Sequence, residues 1–113
     1  MNIQIFGTKK CSDTRKAERY FKERGIRYQF IDLKEKGMSR GELTSVAQAV
    51  HGVDNLVDPA AKDKDALALV QYIAPQSRLD TLLDNLQVLK TPVVRNGKQA
   101  TVGYQPDVWK TWA

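Results

Sequence analysis

The fold is decided by residues 2–33, which read NIQIFGTKKCSDTRKAERYFKERGIRYQFIDL. A short β-type run, residues 2–6, is followed by a polar loop and a predicted helix over residues 11–24, where apolar side chains recur at helical spacing. Gly25 is suited to end that helix in a left-handed conformation. Apolar and polar residues then alternate along a strand predicted over 26–33. Strand, helix and strand with short connections form a βαβ unit, whose strands are expected to lie parallel with a right-handed crossover.

Helices are predicted after this unit. Ser39 and Glu42 have the spacing of a capping box, and a stripe of apolar residues follows them. Two further helices are predicted over 65–74 and 77–89, with a break at Pro75.

A hairpin and a last helix complete the pattern. A strand over residues 91–95 leads to Asn96-Gly97, a dipeptide typical of two-residue turns, and residues 99–102 return antiparallel. The final helix, residues 106–112, has a proline in its first turn. The sequence thus predicts nine elements in the order β-α-β-α-α-α-β-β-α.

This order predicts an α/β protein with a thioredoxin/glutaredoxin-like fold (βαβ-ααα-ββα) and a mixed four-stranded sheet. The chain has 113 residues, of which 42% are hydrophobic and 27% charged, values typical of one globular domain with a single core. We therefore expect one domain over residues 1–113, with a helical insert at about 38–89.

Composition excludes several classes of function. No apolar run is long enough to span a membrane, and the N-terminus lacks the features of a signal peptide, so a cytoplasmic monomer is expected. Lys and Arg exceed Asp and Glu by 18 to 13. That charge is spread along the chain without an aromatic-basic motif, so no direct nucleic-acid binding is expected. One Cys and one His predict neither a disulfide nor a metal site.

Cys11 is the candidate reactive group. It lies between the first strand and the first helix, at the carboxyl end of the sheet, where such folds bind ligands. A free cysteine is commonly a small buried apolar residue, but the neighbours here are polar. Amides of the first helical turn are predicted to point at the sulfur, and Arg15 lies one turn further on the same face. We interpret Cys11 as a thiolate of lowered pKa stabilised by Arg15, beside the candidate substrate-binding residues Lys10, Ser12, Asp13 and Thr14.

Thr91-Pro92 supplies the other half of the predicted site. In thioredoxin-like folds a cis-proline before the third strand packs beside the reactive sulfur. The residue before it offers its backbone to a substrate, as a short strand pairing would. We therefore expect a cis peptide bond here, and both residues in the substrate-binding site.

These segments resemble one known family. The chain is similar, over essentially its whole length, to the glutaredoxin-dependent arsenate reductases, a family that also includes the Spx-type redox regulators. The resemblance is carried by IFGTKKCSDTRKA (5–17), YQFIDL (28–33), TPVV (91–94), NGK (96–98) and VGY (102–104). It implies that Cys11 is the catalytic cysteine, Arg15 the arginine of a Cys-x-x-x-Arg motif, and Pro92 the cis-proline.

The sequence departs from that family at the arginines that arsenate reductases use. Thr91 stands where an arginine is expected before the proline, Gln105-Pro106 stands at the start of the last helix, and residues 55–64 offer no evident third counterpart. Oxyanion recognition depends on such forked donors. The departures therefore argue against arsenate as the substrate.

Two functions remain as hypotheses. The first is an arsenate-reductase-like thiol oxidoreductase with no bound cofactor, in which glutathione or a glutaredoxin supplies the second thiol. The second is a non-enzymatic Spx-like regulator or adaptor that binds RNA polymerase. Position 14 is Thr, so the Cys-x-x-Cys switch common in those regulators cannot form.

Overall fold

A four-stranded mixed sheet forms the centre of the protein. The computed structural model describes residues 1–112. The strand order is β2-β1-β3-β4; β1 and β2 are parallel, whereas β1–β3 and β3–β4 are antiparallel. The thioredoxin/glutaredoxin-like fold predicted from the sequence is confirmed. The strands are β1 (Ile3–Gly7), β2 (Tyr28–Asp32), β3 (Val93–Asn96) and β4 (Gln99–Val102).

Five α-helices connect and cover this sheet within the described residues. Short 3₁₀ turns lie at Val53–Leu56, Pro75–Ser77, Leu86–Val88 and Lys110–Trp112. The helices are α1 (Ser12–Glu23), α2 (Arg40–Ala49), α3 (Lys64–Tyr72), α4 (Arg78–Leu83) and α5 (Pro106–Trp109).

The helix predicted over residues 77–89 is wrong in length. The α-helix ends at Leu83, and Asn85 has a non-helical backbone (φ −137°, ψ 54°). The Asn85 side chain donates to the carbonyl oxygen of Thr81 at 2.8 Å. Such a bond offers the backbone an alternative to the helix, which explains the early end.

The hairpin turn lies one residue later than predicted. Asn96 pairs with Gln99, so the two loop residues are Gly97 and Lys98. Gly97 has a φ of +62°, whereas Lys98 is not in the left-handed region. A two-residue hairpin loop with glycine first is the pattern of a type II′ turn.

Two apolar clusters cover the two faces of the sheet. Because neighbouring residues of a strand point to opposite faces, Ile5 and Phe6 belong to different clusters, as do Val94 and Val93. Helices α1 and α5 cover the face of Ile5, whereas α2, α3 and α4 cover the face of Phe6. The cluster on the face of Ile5 contains Ile3, Ile5, Ala17, Tyr20, Phe21, Val94 and Trp109.

This layering places the loop between β1 and α1 at the carboxyl end of the parallel pair. Val93 at the start of β3 pairs with Phe6 near the end of β1, so residues 91–92 come to the same end of the sheet. Within residues 1–112 no helix has the length and apolar character needed to cross a lipid bilayer.

Candidate functional site

Cys11 occupies the N-cap of α1. Its backbone is extended (φ −79°, ψ 118°), and its amide donates to the carbonyl oxygen of Thr8 at 3.2 Å. Its own carbonyl accepts the amide of Arg15 at 3.2 Å. The side chain is half-buried and makes no capping bond. The sulfur lies at the N-terminus of the helix, where the first backbone amides have no carbonyl partner within the helix.

Thr91 contacts the sulfur directly. Its Oγ1 donates to Cys11 Sγ at 3.2 Å, and the thiol can donate to the Thr91 carbonyl oxygen at 3.7 Å. The Thr91-Pro92 peptide bond is cis, which confirms that prediction. Thr91 therefore brings both a hydroxyl and a backbone carbonyl to Cys11.

Thr14 brings a second hydroxyl to the same sulfur. Its side chain is fully buried, and Oγ1 has no hydrogen-bond partner of ordinary geometry within residues 1–112. It packs against Gly7, where a Cβ would lie only 2.4 Å from Thr14 Oγ1. The Thr14 hydroxyl nevertheless favours the thiolate form of Cys11 and so lowers the pKa of that thiol.

The pKa of Cys11 is lowered by these neighbours. Partial burial alone raises the pKa, because it disfavours the charged form. The Thr14 and Thr91 hydroxyls, the latter through its hydrogen bond to Sγ, and the backbone amides of Thr14 and Asp13 outweigh that effect. The lowered pKa agrees with the sequence-based expectation for Cys11. The groups that lower it are neutral hydroxyls and amides, whereas the sequence predicted the Arg15 guanidinium.

The Arg15 side chain is bonded to the loop before α1. Its Nη1 donates to the carbonyl oxygen of Lys9 at 2.8 Å, and it is not among the groups that lower the Cys11 pKa. This hydrogen bond holds the guanidinium against the loop between β1 and α1. Lys10 and Ser12 are exposed and take no part in these bonds. A catalytic role for Arg15 and roles for Lys10 and Ser12 in substrate binding remain predictions.

A cleft of about 570 Å³ begins beside the site at Thr8 and Thr91. Its floor is largely apolar, and its rim carries charged residues of both signs. It lies between the carboxyl ends of β1 and β2 and the segments at residues 58–63 and 86–89. The lining comprises Thr8, Leu33, Lys34, Asp58, Ala60, Ala61, Lys62, Asp63, Leu86, Gln87, Leu89 and Thr91.

This cleft could not be predicted from the sequence, because its walls come from four separate parts of the chain. The acidic residues at its rim are engaged locally. Asp58 accepts the amide of Ala60 at 2.9 Å, and Asp63 accepts the amide of Ala66 and the side chain of Gln87, each at 3.0 Å. In the part of the chain that the structure describes, no three His, Cys, Asp or Glu side chains converge as metal ligands would.

Comparisons with known proteins agree on one family. A family model described as the ArsC family matches residues 6–112. The global transcriptional regulator Spx 2 of Oceanobacillus iheyensis is 29% identical over 95% of this chain and 80% of its own length. The uncharacterized protein YusI of Bacillus subtilis is 23% identical over the full length of both chains. An arsenate reductase structure from Vibrio cholerae superposes with a TM-score of 0.80 at 22% identity, covering 96% of this chain and 94% of that one; this likeness shows the fold alone.

Proposed function

The chain belongs to the ArsC family, and on that premise we propose that it is a thiol oxidoreductase whose nucleophile is the Cys11 thiolate. The observation that carries the proposal is the set of donors near Sγ: Thr91 Oγ1 at 3.2 Å, and the Thr14 hydroxyl and first-turn amides, which favour the thiolate. These donors lower the pKa of Cys11. A thiolate, not a thiol, is the attacking species in thiol chemistry.

The proposed reaction is a thiol exchange in two steps. Cys11 Sγ attacks one sulfur of a substrate disulfide, forms a mixed disulfide with it, and expels the other sulfur as a thiolate. The thiolate of glutathione or of a glutaredoxin then attacks the substrate sulfur of that mixed disulfide, and Cys11 leaves as a thiolate. A second thiol from outside is needed because Cys11 is the chain's one cysteine.

The lowered pKa serves the second step more than the first. It enlarges the thiolate fraction, but it also weakens the nucleophile, because nucleophilicity falls with pKa along a Brønsted slope of about 0.4–0.5. A low pKa makes Cys11 a better leaving group. The same donors that hold Sγ also stabilise the negative charge that returns to it.

Arsenate is not the substrate we propose. Thr91 places a hydroxyl and a carbonyl, not a guanidinium, beside the sulfur, and Arg15 is bonded to Lys9. The cleft lining contains lysines but no arginine. Forked guanidinium donors are the groups suited to oxyanions, and a cleft of about 570 Å³ is large enough for an organic ligand.

The proposal is tested by the pH dependence of Cys11 alkylation with iodoacetamide. We expect the midpoint of the wild-type rate to lie below about 8.5, the ordinary thiol value. Thr91→Val should move the midpoint upwards, because it removes a donor to the thiolate. Arg15→Ala serves as the matched control, with a midpoint close to that of the wild type. A wild-type midpoint near 8.5 would refute the proposal.

A mass-spectrometric measurement then tests the second thiol. After exposure to glutathione disulfide, we expect one glutathione adduct on Cys11 and none on Cys11→Ser. Reduced glutathione or a glutaredoxin should remove that adduct. An adduct that neither thiol removes would contradict the proposed second step.

The identity to Spx 2 favours a second candidate, an adaptor that binds RNA polymerase and makes no catalytic use of Cys11. Capture of partners from a lysate with wild type and Cys11→Ser separates the two functions. Polymerase subunits retained equally by both variants would support the adaptor. Partners released from the wild type by a reductant, and missing from Cys11→Ser, would support the oxidoreductase.

A further inference from the structure

The positive charge of the protein is concentrated in one segment, contrary to the even spread inferred from the sequence. Residues 9–27 contain eight Lys and Arg against three acidic residues, Asp13, Glu18 and Glu23. This segment therefore carries the whole net charge of +5, since the rest of the chain contains ten residues of each sign. The eight are Lys9, Lys10, Arg15, Lys16, Arg19, Lys22, Arg24 and Arg27.

Part of this charge lines a groove between α1 and the start of α5. The groove has a volume of about 350 Å³ and is lined mainly by basic and aromatic side chains. The Arg24 guanidinium lies 3.8 Å from the centroid of the Tyr20 ring, and Lys16 Nζ lies 6.0 Å from that of Tyr104. We call Lys16, Arg19, Arg24, Tyr104 and Lys110 the α1 basic surface.

The acidic residues near this surface do not neutralise it. Lys16 and Asp13 are 3.8 Å apart, and Lys110 and Asp107 are 3.6 Å apart; all four side chains are exposed. Exposed pairs of this kind contribute little to stability and can be exchanged for other partners. Glu18 accepts the hydroxyl of Tyr28, and Glu23 is the one acidic residue in the groove lining.

The α1 basic surface adjoins the candidate site. Lys16 lies little more than one helical turn beyond Cys11 along α1. The amide of Gly103 donates to the carbonyl oxygen of Pro92 at 2.8 Å, which places Tyr104 next to the Thr91-Pro92 segment. The end of this surface formed by Lys16 and Tyr104 is therefore the end nearer to the Thr91-Pro92 segment of the site.

We propose that the α1 basic surface docks an acidic polypeptide segment of a partner protein and brings that partner's thiol or disulfide to Cys11. This inference rests on the proposed function, and it makes a protein, more than free glutathione, the physiological thiol partner. Complementary exposed charges raise association rates by about 10- to 1,000-fold, so the expected effect is mainly on the rate of encounter. A polypeptide fits better than a nucleic acid, because the reaction at Cys11 requires sulfur in the partner.

The test uses two synthetic peptides, each with one cysteine activated as a 2-thiopyridyl mixed disulfide. In one peptide the cysteine is flanked by glutamates, and in the other by glutamines. Cys11 Sγ forms a disulfide with the peptide sulfur, and pyridine-2-thione leaves and is measured by its absorbance. Each rate constant is divided by the same variant's rate with iodoacetamide, which corrects for any change in the thiol itself.

For the wild type at low salt, we expect the glutamate peptide to react at least tenfold faster than the glutamine peptide. The preference should shrink steeply with salt, because the Debye length falls from about 30 Å at 0.01 M to about 3 Å at 1 M. The double variant Arg19→Glu/Lys110→Glu should lose most of the preference.

The matched control is Lys64→Glu/Lys98→Glu, which changes the net charge equally. Lys98 lies in the hairpin turn, two residues after Asn96, which pairs with Ile3 at the start of β1. Lys98 is therefore at the end of the sheet opposite Cys11. The control should keep most of the preference. Equal losses in the two double variants, or no preference in the wild type, would overturn the inference. A third result would also overturn it: a single-stranded oligonucleotide binds the wild type but not the Arg19→Glu/Lys110→Glu variant, while the two peptides react at equal rates.

None of these three outcomes would contradict the proposed function. A lowered midpoint in the iodoacetamide profile supports the Cys11 thiolate whichever peptide reacts faster. A normal midpoint would refute the thiolate, whatever the peptides do.

Discussion

At the residue scale, neutral donors stabilise Cys11 where a cation was expected. Thr14 and Thr91 lower the pKa of the sulfur through their hydroxyls, assisted by amides at the start of α1. Hydrogen bonds act over short distances, and the Thr14 hydroxyl is fully buried, so added salt screens these interactions little. The ionisation of Cys11 should thus be insensitive to salt, whereas encounter with a charged partner should be sensitive to it.

Thr14 is the residue at which reactivity and stability are expected to oppose each other. Its hydroxyl has no partner of ordinary geometry in residues 1–112, and a buried unsatisfied polar group costs about 1–3 kcal/mol. In Thr14→Val, a methyl group replaces this hydroxyl at nearly the same volume. We expect the variant's free energy of unfolding at pH 6 to equal or exceed that of the wild type. Its alkylation midpoint should rise, and its alkylation rate at pH 6 should fall several-fold.

Urea unfolding and iodoacetamide kinetics on the same samples check both parts of this prediction. Thr14→Ser is the control, since it keeps a hydroxyl and should keep a midpoint closer to that of the wild type. A Thr14→Val protein with an unchanged midpoint would show that the hydroxyl does not act on the sulfur.

At the element scale, the site depends on how closely the first turn of α1 approaches the end of β1. Gly7 is the last residue of β1, and its carbonyl accepts the amide of Leu33 at 3.0 Å. The Thr14 side chain fills the space that a Cβ of residue 7 would occupy, with Oγ1 and Cγ2 at 2.4 and 2.6 Å from that position. Any side chain at position 7 must therefore displace Thr14.

Gly7→Ala should consequently disturb the site without touching Cys11. The added methyl group forces the start of α1 away from the sheet, and overpacking of this kind costs about 1–3 kcal/mol. Because the Thr14 hydroxyl moves with the helix, the alkylation midpoint should rise as well. Thermal unfolding and alkylation kinetics measure the two effects.

Gly41→Ala is the matched control, because nothing lies within 4 Å of a Cβ at that position of α2. It should leave the alkylation midpoint unchanged and the stability equal to or above that of the wild type. A Gly7→Ala protein as stable as the wild type would contradict the packing argument.

Local features of the elements could be predicted from the sequence, whereas features set by contacts between distant segments could not. The capping box of α2 is local and is confirmed: Ser39 Oγ accepts the amide of Glu42, and Glu42 Oε1 accepts the amide of Ser39. The position of Cys11 before α1 likewise follows from the βαβ pattern. The direction of the Arg15 side chain depends on a loop carbonyl that no spacing rule identifies.

The same reason explains the hairpin register and the cleft. The dipeptide Asn96-Gly97 indicates a turn, but pairing of β3 with β1 and β4 decides which residues form the loop. The cleft beside Thr91 needs segments more than fifty residues apart, from Thr8 to Leu89. Three-dimensional packing, not local propensity, positions those walls.

At the scale of the whole molecule, ionisation of Cys11 is linked to folding. The unfolded chain should have a thiol pKa of about 8.5, and the folded protein has a lower one. Between these two values the unfolded state binds more protons than the folded state, so stability rises with pH. The contribution of Cys11 is complete above the unfolded pKa and is lost as the pH falls through the folded pKa.

Cys11→Ser removes this contribution while leaving every other titrating group in place. The free energy of unfolding of the wild type minus that of Cys11→Ser should therefore increase from pH 5 to pH 9 and level off above that range. Urea unfolding in the presence of a phosphine reductant measures this difference, with disulfide formation between chains excluded. Thr14→Val/Thr91→Val, in which both hydroxyl donors are removed, should show a smaller pH-dependent increase relative to its own Cys11→Ser derivative. A difference that does not change with pH would mean that folding does not favour the thiolate, and the donors around Sγ would then have no energetic effect on it.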